Sequence, residues 1–170
     1  MPRKSPMRKH LYTLLLFCLV LALDAATKHF VETGIALHER INVIGSFVQL
    51  TLLYNRGGLF GIMQGYQTFF LVVSIAVFTL LVAYYFLERE KTPLFRCAMA
   101  LVMAGAVGNI ADRLFGKPGV VDFIYIGSDE VFRWPAFNVA DSSIVVGALL
   151  LLLFYFLEER KKKTAVPRGQ

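Results

Sequence analysis

The chain has 170 residues, 56% of them hydrophobic and 15 of them Phe, which is too apolar for a soluble domain of this length and suits one small membrane domain. The formal charge of +6 is concentrated at the ends, where Arg3, Lys4, Arg8 and Lys9 open the chain and Arg160, Lys161, Lys162 and Lys163 close it. Such clusters suit juxtamembrane contact with anionic lipid, and no nucleic-acid partner is expected.

The first apolar run, about 11–30, follows a basic tail (1–10) and stays uncharged until Asp24. It lacks a small-x-small cleavage site, and the bulky Phe17 before Cys18 does not suit lipoprotein processing. An uncleaved first helix is therefore expected. Asp24 and Lys28 lie four apart on it, with the acid on the favourable N-terminal side.

The connecting segment 31–65 carries a stretch rich in β-branched and aromatic residues from Ile41 to Tyr54, predicted as a strand and half of a small sheet. Asn55-Arg56-Gly57-Gly58 then signals a turn. Apolar runs at about 66–87 and 94–110 predict the second and third spanning helices, and one at 139–157 predicts the fourth. The segment 111–138, with Gly116, Pro118, Gly119, Gly127 and Pro135, is predicted to be irregular. A basic tail, 158–170, ends the chain. Most of the 18 basic residues fall in the two tails or in the short link holding Arg89, Lys91 and Arg96, so the positive-inside rule puts both termini in the cytoplasm. The expected fold is an all-α membrane bundle of four transmembrane helices with a small extracytoplasmic β-sheet in the first outer loop, as one polytopic domain over 1–170.

Polar residues are costly in such a chain, and they gather at one depth. Asn109, Asp112 and Arg113 share a helix face, as do Asn138 and Asp141. Lipid offers these groups no partners, so the faces are expected to turn inward. Asn138 with Asp141 also suits a plain helix start, with Asn as the cap and an acid three residues on. Gly105 and Gly108 suit close helix packing. Asp122 is an acid inside the apolar run Val120-Val121-Asp122-Phe123.

The three histidines (His10, His29, His38) and two cysteines (Cys18, Cys97) show no metal-site spacing, so neither metal nor cofactor is expected. No Ser/His or Cys/His nucleophile pair is evident either. Two neighbouring carboxylates sharing one proton could hydrolyse a peptide bond through water. The residues alone do not choose which two of Asp112, Asp122 and Asp141 would do so. A small proton- or ion-coupled transport subunit is the alternative reading, because inward-facing acids also mark ion paths. A catalytically silent membrane assembly factor is a second.

Taken together, Asp24-x-x-Thr27-Lys28, Asn55-Arg56-Gly57-Gly58-Leu59-Phe60-Gly61, Gly105 through Arg113, Val120-Val121-Asp122-Phe123 and Phe137-Asn138-Val139-Ala140-Asp141 resemble the bacterial lipoprotein signal peptidases (signal peptidase II, an aspartic intramembrane peptidase family) in the family's order. The resemblance implies an aspartic endopeptidase of the inner membrane, with its active site near the outer face. It would cleave diacylglyceryl-modified prolipoproteins just before the lipidated cysteine. It implies Asp122 and Asp141 as the catalytic pair. Asp24, Lys28, Asn55, Gly108, Asn109, Asp112, Arg113 and Asn138 are implied as supporting or substrate-contacting residues. Inhibition by globomycin-type cyclic peptides is expected on the same ground. Two positions depart from the family pattern: Leu59, after Gly58, stands where small residues are commoner, and Ala25 replaces a common Gln.

Overall fold

The computed structural model describes residues 6–58, 61–89, 91–115, 117–128 and 130–165, with backbone alone for 6–9 and 165. Arg3, Lys4, Leu59, Phe60 and Gly116, all used in the sequence reading, lie outside the described residues. Four long helices carry the chain: α1 (Pro6–Gly34), α2 (Gln67–Leu87), α3 (Pro93–Leu114) and α4 (Val139–Ala165). Each is long and apolar enough to cross a membrane. Leu14, Leu19, Leu80, Leu149 and Leu152 project from three of them with half or more of their surface exposed. In water that would be a liability; against lipid it is the expected outer surface.

α3 is the central post, and half of its most apolar stretch is buried. It starts at Pro93, which suits a first helical position, behind Thr92, whose side chain accepts a hydrogen bond from the Phe95 amide at 3.2 Å. Small residues then let its neighbours close in. A Cβ on Gly105 would strike the Ala140 carbonyl oxygen of α4, and one on Gly147 would meet Val102 and the Ala98 carbonyl of α3. A Cβ on Gly108 would collide with the Asp24 carboxylate of α1. These glycines set how near α1 and α4 come to the post. At the far end, Tyr85 of α2 stacks on Phe95 of α3, with ring centroids 6.1 Å apart, and Phe95 meets Phe154 of α4 at 5.2 Å.

The connecting segments form one antiparallel sheet of four strands in the order β1 (Arg40–Ile44), β2 (Val48–Asn55), β3 (Val120–Ser128), β4 (Phe132–Phe137). This corrects the sequence reading twice. The single strand expected over Ile41 to Tyr54 is a hairpin, turning at Gly45 with a positive φ of 53°. The segment expected to be irregular supplies the other two strands. Its glycines and prolines punctuate strands instead of preventing them. Gly119 precedes β3, Gly127 (φ 122°) sits near the end of β3, and Pro135 is on β4, an edge strand where a missing N–H is tolerated. Hence the sheet belongs half to each connecting segment and not to the first alone.

The sheet rests on the C-terminal end of α1, where Val31 and Ile35 pack with Leu52, Val121 and Phe123. Strand alternation sends Val121 and Phe123 into this core and turns Val120 and Asp122 to the opposite face. The position of Asp122 is thus fixed by its hydrophobic neighbours.

Candidate active site

The face of β3 bearing Asp122 looks into a cavity of about 600 Å³, bounded by α2, α3, α4 and β4. Its walls are apolar along the helices, with Phe70, Val73 and Val77 from α2 and Val145 and Val146 from α4. Most of its polar groups converge at one end: Asn55, Asn109, Arg113, Asp122, Asp141 and Ser142. Few polar groups in a largely apolar cleft is the usual make-up of a ligand site.

Asn138 joins the two acids. It is wholly buried between the end of β4 and the start of α4. Its side-chain amide donates to Asp122 Oδ1 at 2.8 Å and to the Asn109 side-chain oxygen at 3.2 Å. Its own oxygen accepts from the Asp141 amide at 2.8 Å, while Asp141 Oδ2 accepts from the Asn138 amide at 3.3 Å. This is a reciprocal capping box, so the local helix-start reading holds. The same box places Asp141 one helical turn above Asn138 with Oδ1 free to accept from Asn109 Nδ2 at 2.8 Å.

Asp122 is almost fully buried. Its second oxygen accepts from Asn55 Nδ2 at 3.1 Å. Asn55 is itself fixed: Nδ2 also donates to the Gly58 carbonyl, and Oδ1 accepts from the Gly57 amide and from Gln64. Burial pushes the Asp122 carboxyl up to about 7, and the negative charge of Asp141 adds to the rise. The hydrogen bonds from Asn55 and Asn138 and the charge of Lys28 pull the other way without cancelling it. A carboxyl titrating there can hold a proton at neutral pH and release it.

Behind this pair lies a buried charge network. Lys28 of α1, with 2% of its surface exposed, contacts Asp24 at 2.8 Å and Asp112 of α3 at 2.7 Å, and donates to Asn109 Oδ1 at 3.3 Å. The Lys28 and Asn138 donors on Asn109 Oδ1 fix that amide's orientation, so its NH₂ must face Asp141. Asp24 also accepts from the Ala140 amide at 2.9 Å, in the first turn of α4. Asp112 accepts from the Val121 amide at 3.3 Å, directly before Asp122. Asp24 and Asp112 thus each hold the backbone beside one of the paired acids. Arg113 donates to the carbonyls of Asn109 and Gly57, tying α3 to the turn after β2.

All ten residues singled out from the sequence fall in or around this centre. Asp122, Asp141, Asn55, Asn109 and Arg113 line the cavity, and Asn138, Lys28, Asp24, Asp112 and Gly108 pack behind them. Ala25 is exposed, outside the cavity lining. Sequence reasoning missed Lys117 and Glu32. Lys117 binds Asp112 at 3.2 Å and Glu32 at 2.8 Å, extending the charge network to the sheet side. Burial works against the Lys117 ammonium, but its hydrogen bond to Glu32 and the charge of Asp112 outweigh it and its pKa is raised. It also missed Phe70 and Trp134, which line the cavity; isolated aromatics in an aromatic-rich chain carry no signal. Among the described residues, no group of three or more His, Cys, Asp or Glu is placed to hold a metal ion.

Comparison with known proteins matches residues 16–157 to the family model described as signal peptidase (SPase) II. A lipoprotein signal peptidase of Desulforapulum autotrophicum is 42% identical over 137 residues, covering 76% of this chain and 82% of the relative. One from Moorella thermoacetica is 40% identical over 135 residues, covering 79% and 85%. A solved structure of a bacterial membrane enzyme superposes with a TM-score of 0.80 at 28% identity, covering 94% of this chain and 93% of that one. A second superposes at 0.74 and 31%, covering 85% and 92%.

Proposed function

The chain belongs to the signal peptidase II family, and from that premise we propose that it removes the signal peptide from diacylglyceryl-modified bacterial prolipoproteins by aspartic hydrolysis, cutting just before the lipidated cysteine. Asp122 and Asp141 form the catalytic pair. The observation that carries this reading is that both acids face one cavity and share a single fully buried bridging residue, Asn138.

The chemistry follows from one proton held by the pair. The ionised carboxylate takes a proton from water as the resulting hydroxide adds to the scissile carbonyl carbon. The protonated partner gives its proton to the carbonyl oxygen, forming a tetrahedral diol. On collapse the C–N bond breaks, and the proton taken from water passes to the leaving amine nitrogen of the cysteine. Asn55 and Asn138 hold Asp122, and Asn109 holds Asp141, so that the two carboxyls need little reorganisation in the transition state. Asp24, Lys28, Asp112 and Gly108 act as positioning residues by fixing α1 and α3 behind the pair.

The apolar walls of the cavity suit a substrate that arrives within the bilayer, and four apolar helices make this a multi-pass membrane protein. On this reading the chain is one polytopic domain of the inner membrane with both ends in the cytoplasm and the pair near the outer face, a topology that the excess of basic residues in the tails and the 88–96 link supports. A globomycin-type cyclic peptide would compete for the same cavity.

The test is a mass-resolved cleavage assay in detergent with a lipidated precursor. Wild-type protein should release the signal peptide. Asp122→Asn and Asp141→Asn should each lower the rate by at least about 10²-fold, in the range expected for loss of a general acid or base. Full activity in either variant would remove that residue from the mechanism.

A further inference from the structure

The bundle has a second cleft on the other side of α2, remote from the paired acids. α1 and α2 each pack on α3 but scarcely touch one another. The gap between them is a groove of about 580 Å³, walled by Leu11, Leu14 and Phe17 of α1 and Val82 and Phe86 of α2, with Met103 of α3 as its floor. It lies at the N-terminal end of α1 and the C-terminal end of α2, the end of the bundle that carries the basic residues.

The mouth of this groove is polar, and the one described ammonium beside it is that of Lys91, which donates to the Phe86 and Glu88 carbonyls at 3.2 and 2.6 Å. His10 Nδ1 and the Tyr85 hydroxyl are hydrogen-bonded at 3.1 Å. The Lys91 ammonium lies 5.9 Å from the centre of the Tyr85 ring. We propose that this groove is a binding site for an anionic phospholipid of the cytoplasmic leaflet, with one acyl chain between α1 and α2 and the phosphate at His10 and Lys91.

Three features select this occupant. A gap at bilayer depth fills with hydrocarbon, because water finds almost no polar partner along these walls. Its volume falls within the range of sites for small apolar ligands. The charge at the mouth favours phosphate and disfavours the basic start of a signal peptide, and it disfavours equally a second copy of this cationic end.

A photo-reactive phenylalanine analogue at Leu14 tests the assignment in full-length protein reconstituted with equal parts phosphatidylglycerol and phosphatidylcholine. Irradiation should yield an adduct with the mass of one phosphatidylglycerol. The phosphatidylcholine adduct should be about fivefold weaker, as one favourable surface cation implies. Lys91→Gln, a substitution outside the catalytic centre, should reduce this preference while precursor cleavage continues. If the labelled protein fails to insert, native mass spectrometry of the unlabelled wild type and Lys91→Gln reads the same preference through the retained lipid. Cross-linking to added precursor or to a second copy would overturn the proposal. So would equal capture of the two lipids, or a phosphatidylglycerol preference that survives Lys91→Gln.

Discussion

At Lys28 an ammonium group is held between Asp24 and Asp112 with almost no contact with solvent. Its removal would leave two buried carboxylates facing each other. Lys28→Met should therefore destabilise the protein by about 3–5 kcal/mol, as breaking a buried pair does. Thermal unfolding in detergent measures this, and an unchanged midpoint would show that the network is not structural. Asp122 has the opposite character. Its carboxyl sits at about 7 in the folded protein against an ordinary 3.8, so the folded state binds its proton more tightly than the unfolded state. Its contribution to stability is greatest below the ordinary value and declines as pH rises through the window up to about 7. Asp122→Asn removes that decline. The variant should be inactive yet more stable than wild type above neutrality, by at least about 1 kcal/mol. Wild type should lose stability relative to the variant between about pH 5 and about pH 8, within and just above that window, and parallel denaturation midpoints over this range would contradict it.

Among the elements, α3 tolerates least. At Gly105 an added side chain meets the Ala140 carbonyl, which cannot rotate away, in the turn that precedes Asp141. Gly105→Ala should cost about 1–3 kcal/mol by overpacking and lower cleavage through displacement of α4. Unchanged stability and rate would mean that the helices part more easily than the packing implies. The helices themselves were legible because about 20 apolar residues have few other uses. The strands were less so. Val120 to Ile126 has strong β character, but the surrounding glycines and prolines obscured it. Only pairing with β2 makes Asp122 a residue of a sheet. The link between Asn138 and Asp141 could be read locally, as a helix cap. The bond from Asn138 to Asp122 could not, because it depends on how β3 meets the start of α4. The choice of Asp122 and Asp141 over Asp112 came from the family resemblance. The structure adds a physical distinction: Asp112 lies against two lysines, whereas Asp122 is held by neutral amides.

On the scale of the whole molecule, a sheet and a helix bundle meet at one polar end of an otherwise apolar cavity. The sheet supplies one carboxyl and the bundle the other, and α1 locks them through Lys28. Such a division makes activity depend on how the two parts dock. Trp134→Ala, on the β4 wall of the cavity, should raise KM for a lipidated precursor several-fold with a smaller change in kcat, which steady-state cleavage kinetics would measure. An unchanged KM would place the substrate elsewhere. The proposed hydrolysis requires Asp122 and Asp141 to share one proton. Infrared titration of the carboxyl groups in detergent measures it most directly. A protonated carboxyl should persist to about pH 7 in wild type and shift to lower pH in Asp141→Asn, where the neighbouring negative charge is gone. A protonated band unmoved by Asp141→Asn would contradict the account.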